Sequence, residues 1–147
     1  MLDHMRFLHS SDCKQIRDTQ TPVAHLGEFG YLRLKGRRGL GHTTAIIDLC
    51  KTLRNTERVV VASPISKQHD LLRHALSAKN LGVTPGQAPV VCRAERIEDL
   101  VMEVQKAHAT VVIIDNASLV TDLERILFNV FFPAFAASGG LAVIALG

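Results

Sequence analysis

The chain has 147 residues and a formal net charge of +3, with 47% hydrophobic and 21% charged residues. This composition excludes an intrinsically disordered chain and is typical of a globular protein with enough residues for one full core. Cys13, Cys50 and Cys92 form no C-x-x-C pair, so they predict neither a zinc site nor a disulfide framework. We therefore expect a single domain over 1–147, with 1–29 as an N-terminal extension and 30–147 as the core.

Short apolar runs alternate with amphipathic runs through the core. The apolar runs predict five buried strands, at 31–34, 59–62, 90–92, 110–115 and 141–146. The runs between them have apolar residues at helical spacing and predict helices. The residues predicted to face inward are Ile46, Leu49, Cys50 and Leu53, then Leu72, Ala75 and Leu76, then Ile97, Leu100, Val101 and Val104, and finally Leu127, Val130 and Phe131.

Two local signals predict helix ends. Gly82 lies just beyond the helix that contains Leu72 and is expected to stop it. The segment TDLE at 121–124 has the pattern of a capping box, in which Thr121 would open the last helix.

The chain from Ile126 to Leu146 is 21 residues long and contains no charged residue, which is enough to span a bilayer. Pro133 and the SGG at 138–140 interrupt it, so we interpret it as a helix followed by a buried strand, with a membrane span as the alternative. The N-terminal MLDHMRFLHSSD has too short an apolar run for a signal peptide. We therefore expect a cytoplasmic protein that does not enter a membrane.

Apolar strands that alternate with amphipathic helices predict an α/β fold. We expect three α/β/α layers around a mostly parallel, five-stranded sheet that is covered on both faces. Such sheets bind ligands at the carboxyl ends of their strands. The glycine-rich segment after the first strand and Asp115 at the end of the fourth are therefore expected to lie close together.

The glycine-rich segment GRRGLGHTT, at 36–44, differs by one residue from the phosphate-binding pattern G-x-x-x-x-G-K-[ST]. Gly36 and Gly41 have the required spacing, Thr43 occupies the position of the magnesium-binding hydroxyl, and His42 stands in the lysine position. Glycine lets such a turn expose its N–H groups, and the next helix directs its positive end into the same space. The predicted nucleotide-binding residues are Gly36, Arg37, Arg38, Gly39, Gly41, His42, Thr43 and Thr44, and the predicted magnesium ligands are Thr43 and Asp115.

These motifs, in this order, resemble the additional-strand class of P-loop NTPases, which includes RecA-like and helicase ATPases, and above all the ATPase domain of phage large terminases. GRRGLGHTT is similar to the Walker A segment, and VVIIDNASLV at 111–120 is similar to the Walker B segment. VVVASPISKQHDLL at 59–72 resembles the strand and helix that follow the loop in terminases. LAVIALG at 141–147 resembles the segment that couples nucleotide state to movement. The resemblance implies a phage protein in the host cytoplasm that binds ATP, or another nucleoside triphosphate, with Mg²⁺.

Three positions bear on catalysis by this resemblance. His42 replaces the Walker lysine, and a histidine is shorter and, with an ordinary pKa of about 6.5, mostly neutral at pH 7. Arg38 falls where terminases place an arginine that stabilises the transition state. Asn116 replaces the glutamate that activates the attacking water, so it can orient a water but cannot take its proton. General-base catalysis contributes roughly 10²–10⁴-fold, and we therefore expect slow or absent hydrolysis.

Two hypotheses for the function remain open. In the first, the chain is a nucleotide-binding protein related to packaging or helicase motors, with weak hydrolysis. In the second, the degenerate loop no longer holds a nucleotide, and the chain is an accessory module that binds nucleic acid or a protein partner. Asp122 and Glu124, which follow the Walker B strand, are further candidates for the missing base, whereas Glu28 is a poor candidate because it precedes the first strand.

The family resemblance also predicts a strand order. The strand at 141–146 should lie between the loop strand and the Walker B strand, and a further strand normally covers the outer side of the loop strand. This chain stops at Gly147, so we expect 31–34 to be a sheet edge, blunted by the charges of Arg33 and Lys35. We expect Met5–His9 to pack at that edge, or two protomers to meet there in a homo-oligomer.

Four basic residues beside the loop predict contact with nucleic acid, namely Arg33, Lys35, Arg37 and Arg38. The alternative is an ordinary solvated surface. If they contact phosphates, the protein binds DNA or RNA weakly and in a salt-sensitive way, because each contact releases counterions. A gel shift at low salt should weaken when Arg37 and Arg38 are both replaced by glutamine. Absence of any shift, or a shift that the double replacement leaves unchanged, would contradict this prediction.

Overall fold

The computed structural model of the protein describes residues 30–35, 41–93, 96–135 and 141–147. Its five strands are β1 Tyr31–Leu34, β2 Val59–Ser63, β3 Val90–Arg93, β4 Val111–Ile114 and β5 Ala142–Leu146. They form one sheet in the order β1-β5-β4-β2-β3, and every neighbouring pair is parallel. The predicted α/β fold with a five-stranded sheet is confirmed, and the sheet is parallel throughout rather than mostly parallel.

Helices connect these strands. They are α1 His42–Leu53, α2 Ser66–Ala75, α3 Ala78–Leu81, α4 Ile97–Ala107, α5 Leu123–Ile126 and α6 Phe132–Ala134. A π-helical turn, Leu127–Phe131, joins α5 to α6, and short 3₁₀ turns occupy Pro85–Gln87 and Ala117–Leu119.

The strand β5 lies between β1 and β4, as predicted. Val143 is in register with Tyr31 on one side and with Val112 on the other. Among the described strands β1 therefore has a partner on one side only and forms an edge of the sheet. The segment Met5–His9, which we expected to pack there, lies outside the described residues.

Two apolar clusters pack on the two faces of the sheet, because successive strand residues point to opposite faces. One cluster combines Val60, Val112 and Val143 with apolar residues of α4, α5 and the π-helical turn. The other combines the alternate strand residues with apolar residues of α1, α2 and α3. Helices thus cover both faces, which is compatible with three α/β/α layers.

The helix predicted after β2 is broken in two. α2 ends at Ala75, and α3 begins after Ser77, whose hydroxyl accepts a hydrogen bond from the backbone N–H of Asn80 at 3.4 Å. Ser77 is therefore an N-cap that starts a new helical turn. Gly82, with a left-handed φ of 67°, ends α3 rather than the helix that contains Leu72, so it acts as a helix stop but for the second of the two helices. Leu72 and Leu76 are buried, whereas Ala75 is only half-buried.

The predicted capping box at 121–124 is wrong. The residue before α5 is Asp122 in a left-handed conformation, with no side-chain capping bond, and its carboxylate accepts from Arg125 at 2.8 Å instead. The π-helical turn then changes the helical period, since its hydrogen bonds span five residues rather than four. Leu127 and Phe131 are buried as predicted, but Val130 is 41% exposed.

The uncharged chain from Ile126 to Leu146 contains both a helical part and a strand, as our two-element interpretation predicted. Its last part is β5, which hydrogen-bonds to a strand on each side. Within the described residues, none of the helices has both the length and the apolar character that a bilayer span requires.

Two aromatic residues of the π-helical turn differ in burial and allow a test of how much core packing contributes to stability. Phe131 is 0% exposed and packs against Phe132 and Phe135, whereas Phe128, one turn away, is 43% exposed. Replacing Phe131 by alanine should lower the free energy of unfolding by about 3–5 kcal/mol, because it leaves a cavity. Phe128→Ala is the matched control and should cost clearly less. Urea denaturation measures both, and equal losses would contradict this packing.

Candidate functional site

A cavity of about 570 Å³ opens at the carboxyl edge of the sheet. It lies between the first turn of α1, the first turn of α2 and the residues that follow β4. Its lining residues are Gly41, His42, Thr43, Ile65, Lys67, Gln68, Leu71, Asp115 and Asn116. The parallel sheet explains this convergence, because the carboxyl ends of all its strands lie at one edge.

The start of α1 forms one wall of this cavity. Gly41 is the N-cap, with φ 76° and ψ 25°, a left-handed conformation that glycine adopts without strain. Its carbonyl accepts the first helical bond from Ala45 at 2.9 Å. No side chain caps the helix and its first turn contains no acidic residue, so α1 itself does not neutralise its positive end.

The structure brings five of the predicted site residues together, namely Gly41, His42, Thr43, Asp115 and Asn116. Thr44 is exposed in the same turn of α1 and does not line the cavity. The remaining predicted residues, Gly36, Arg37, Arg38 and Gly39, lie outside the described residues, and so does most of the predicted anion nest at 37–43.

Asp115 is buried at the end of β4, with 2% exposure. Its two carboxylate oxygens accept hydrogen bonds from the backbone N–H of Asn116 at 2.9 Å and from the Asn116 Nδ2 at 3.0 Å. Burial raises the pKa of Asp115, while the Asn116 backbone bond, the electrostatic influence of His42 and the Asn116 side chain partly oppose this increase. The net effect is a pKa above the usual value for aspartate.

Asn116, which we expect to be able to orient a water, donates from its amide Nδ2 to Asp115. The backbone at Asn116 is left-handed, with φ 50°, and it passes close to the end of β5. A Cβ added to Gly147 would lie 3.3 Å from the Asn116 Cα, and Gly147 donates its N–H to Leu34 at 3.0 Å. The turn that holds Asp115 thus lies against Gly147 at the end of β5, and Gly147 is in turn hydrogen-bonded to the end of β1.

The first turn of α2 contributes residues that the sequence analysis missed. Gln68 donates from Nε2 to the Thr43 hydroxyl at 3.0 Å and so joins α2 to α1, and Lys67 lines the same cavity. One signal for them was present in the sequence. The SP at 63–64 precedes a polar helix start directly after a strand, and the parallel topology places that helix start at the ligand-binding edge.

The other candidate bases do not line this cavity. Asp122 and Glu124 line a separate cavity of about 380 Å³, where Asp122 pairs with Arg125 and Glu124 pairs with Arg33. Glu28 lies outside the described residues. Within the part of the chain that the structure describes, Asp115 is therefore the carboxylate that lines the cavity between α1, α2 and the end of β4.

The predicted nucleic-acid contacts differ in their exposure. The side chain of Arg33 is only 17% exposed, and its guanidinium donates to Glu124 at 3.4 Å and to the Gly147 carbonyl at 3.2 Å. Lys35 is exposed. Arg37 and Arg38 lie outside the described residues.

Thr43 and Asp115 fit the ligand chemistry of Mg²⁺. Magnesium prefers oxygen ligands, keeps several waters and takes few protein carboxylates, so it needs no cluster of side chains. Among the described residues, no group of three or more histidine, cysteine or acidic side chains is placed to hold a metal ion. The Thr43 hydroxyl and the Asp115 carboxylate each accept hydrogen bonds and still retain lone pairs for a metal ion.

No protein-family model matches the chain, and a search of the curated proteins found no match.

The raised pKa of Asp115 predicts a pH-dependent stability. The folded state keeps the Asp115 proton to a higher pH than the unfolded state, so the free energy of unfolding falls as pH rises from the usual aspartate pKa to the raised one. In metal-free buffer, the wild type should lose stability relative to Asp115→Asn as the pH rises from the usual aspartate pKa of about 4 to the raised pKa of Asp115. Urea denaturation across that range measures the difference between the two proteins. A constant difference, or a change of opposite sign, would contradict the prediction.

Proposed function

We propose that this protein binds a nucleoside triphosphate, ATP or a related nucleotide, together with Mg²⁺, through a degenerate P-loop in a three-layer α/β/α core. The observation that carries the proposal is the convergence of the α1 start, with Thr43, and the buried Asp115 on one cavity. These are the positions at which a phosphate-binding loop and a Walker B carboxylate act in the family that the sequence resembles. The position of β5 between β1 and β4 also supports the proposal.

Each group at the cavity has a role in this proposal. The backbone N–H groups of the first turn of α1 bind the phosphates, aided by the positive end of the helix. The Thr43 hydroxyl and the Asp115 carboxylate hold Mg²⁺, which neutralises phosphate charge when it is bound. Asn116 fixes the orientation of the Asp115 carboxylate through its two hydrogen bonds. His42 provides a weaker phosphate contact than the usual lysine.

The same geometry favours binding over hydrolysis. The carboxylate that the described residues place at the cavity, Asp115, is assigned to the metal and is held by Asn116. Asp122 and Glu124 are engaged in ion pairs beside a different cavity. Without a general base, roughly 10²–10⁴-fold of rate is lost, so turnover is slow or absent. By the order of its motifs, we propose a relationship to phage packaging or helicase motors.

Calorimetric titration with Mg-ATP tests the proposal on the wild type and on His42→Lys. The wild type should bind weakly, and His42→Lys should bind about 10- to 100-fold more tightly, because a charged hydrogen bond to phosphate contributes about 1.5–3 kcal/mol. His74→Lys is the matched control, since it adds the same charge in the last turn of α2, away from the cavity.

The outcomes separate the two functional hypotheses. Binding by the wild type that strengthens in His42→Lys but not in His74→Lys supports a weakened nucleotide site. Absence of binding in both the wild type and His42→Lys contradicts the proposal. That result would favour the accessory module that binds nucleic acid or a protein partner.

A further inference from the structure

The N-termini of two helices, α1 and α2, face the cavity, and each carries the positive end of a helix dipole. The first turns of α1 and α2 both line it, at Gly41–Thr43 and at Ile65–Gln68. Neither helix has a side-chain capping bond or an acidic residue in its first turn. The positive ends of both helices therefore face a common space without a compensating acid of their own.

Lys67 adds a full positive charge at the same place. It is the second residue of α2, it is exposed, and it lines the cavity. A cation in the first turn of a helix is repelled by the helix dipole, so Lys67 is unfavourable where it stands unless an anion lies nearby. Among the described residues no acidic side chain forms an ion pair with it.

Gln68, the residue after Lys67, contacts the opposite wall of the cavity, which the first turn of α1 forms. Gln68 donates to the Thr43 hydroxyl at 3.0 Å, so the first turn of α2 touches the first turn of α1. Thr43 directly follows His42, the position where a lysine would normally contact the phosphates. Lys67 is the residue before Gln68, which contacts Thr43 in the first turn of α1. The flexible four-carbon side chain of Lys67 therefore starts next to that contact.

We propose that Lys67 binds the terminal phosphates of the nucleotide in place of the lysine that the loop lacks at His42. The inference rests on the proposed function and adds a specificity to it. A ligand with a long phosphate chain reaches Lys67 from the α1 turn, whereas a monophosphate is held by the α1 turn alone. The site is therefore selective for nucleoside triphosphates and for polyphosphate chains over monophosphates.

Calorimetry with Mg-ATP, magnesium tripolyphosphate and AMP tests this role in Lys67→Gln, Lys67→Arg and the control Lys79→Gln. Lys79 lies in α3, does not line the cavity, and undergoes the same change of charge. Lys67→Gln should weaken the binding of Mg-ATP and tripolyphosphate by about tenfold or more, because it removes a charged hydrogen bond. Its affinity for AMP should be unchanged, and Lys67→Arg should retain most of the affinity for Mg-ATP.

Thermal unfolding without ligand separates this role from a structural one. Because Lys67 is repelled by the dipole of α2, Lys67→Gln should melt at the same temperature as the wild type or higher. A loss of polyphosphate binding without a loss of stability therefore supports direct contact. A variant that melts lower and binds AMP less tightly as well would overturn the proposal.

A double-mutant cycle with His42→Lys tests whether the two positions serve the same phosphates. The loss caused by Lys67→Gln should be smaller when residue 42 is lysine, because that lysine takes over the contact. An equal loss in both backgrounds would overturn the idea that Lys67 replaces the loop lysine. If the wild type binds Mg-ATP and Lys67→Gln binds it with the same affinity, the result contradicts this inference alone. If the wild type binds none of the ligands, the result contradicts the proposed function.

Discussion

The position of β5 between β1 and β4 is the constraint on which the rest of the structure depends. Neighbouring strands lie about 4.7–4.9 Å apart, so one inserted strand separates β1 from β4 by about 10 Å. Thr43 in the first turn of α1 and Asp115 after β4 line one cavity at the edge where these strands end. A direct pairing of β1 with β4 would halve the separation of the two strands.

Contacts of Gly147, at the end of β5, connect the strand order to the turn that holds Asp115. Gly147 donates to Leu34, its carbonyl accepts from Arg33, and its backbone lies against Asn116. The turn that orients Asp115 thus lies against Gly147, which the end of β1 holds through Leu34 and Arg33. A side chain at Gly147 would press on the Asn116 backbone, and its φ of 102° would also be strained for any residue with a Cβ.

The sequence predicted the sheet and the layers well because those features depend on local patterns. Apolar strands and helical spacing were sufficient for the five strands and most inward-facing residues, such as Leu49 and Leu72. The strand order needed the family resemblance, since periodicity alone does not specify which strands become neighbours. The capping box failed because a left-handed backbone at Asp122 placed its carboxylate against Arg125 rather than over the helix end.

The site was only partly predictable, for a different physical reason. Gly41, Thr43 and Asp115 belong to motifs with a recognisable spacing, so the sequence could assign them to one cavity. Lys67 and Gln68 belong to no such motif, and their role follows from the contact between the first turns of α1 and α2.

Arg33 shows the same dependence on tertiary structure. As a charged residue of an edge strand it was expected at the surface. The alternation of β1 instead turns it, together with Tyr31, to the face covered by α5, where it meets Glu124.

The proposed Mg-nucleotide would stabilise several groups at the cavity that are unfavourable in the empty fold. Asp115 is a buried carboxylate, and burial opposes its ionisation. The first turns of α1 and α2 contain no acid, and Lys67 is placed against the dipole of its own helix. Bound Mg²⁺ would stabilise the Asp115 carboxylate, and bound phosphate would stabilise Lys67 and the two helix ends.

A ligand at this cavity would also contact both α1 and α2, which Gln68 and Thr43 already join. In the proposed function, a site without a general base would hold its nucleotide without hydrolysing it. Asn116 stands where the resembling family has a catalytic glutamate, and Asp115 stands where it has a metal-binding carboxylate. Both residues are consistent with that proposal.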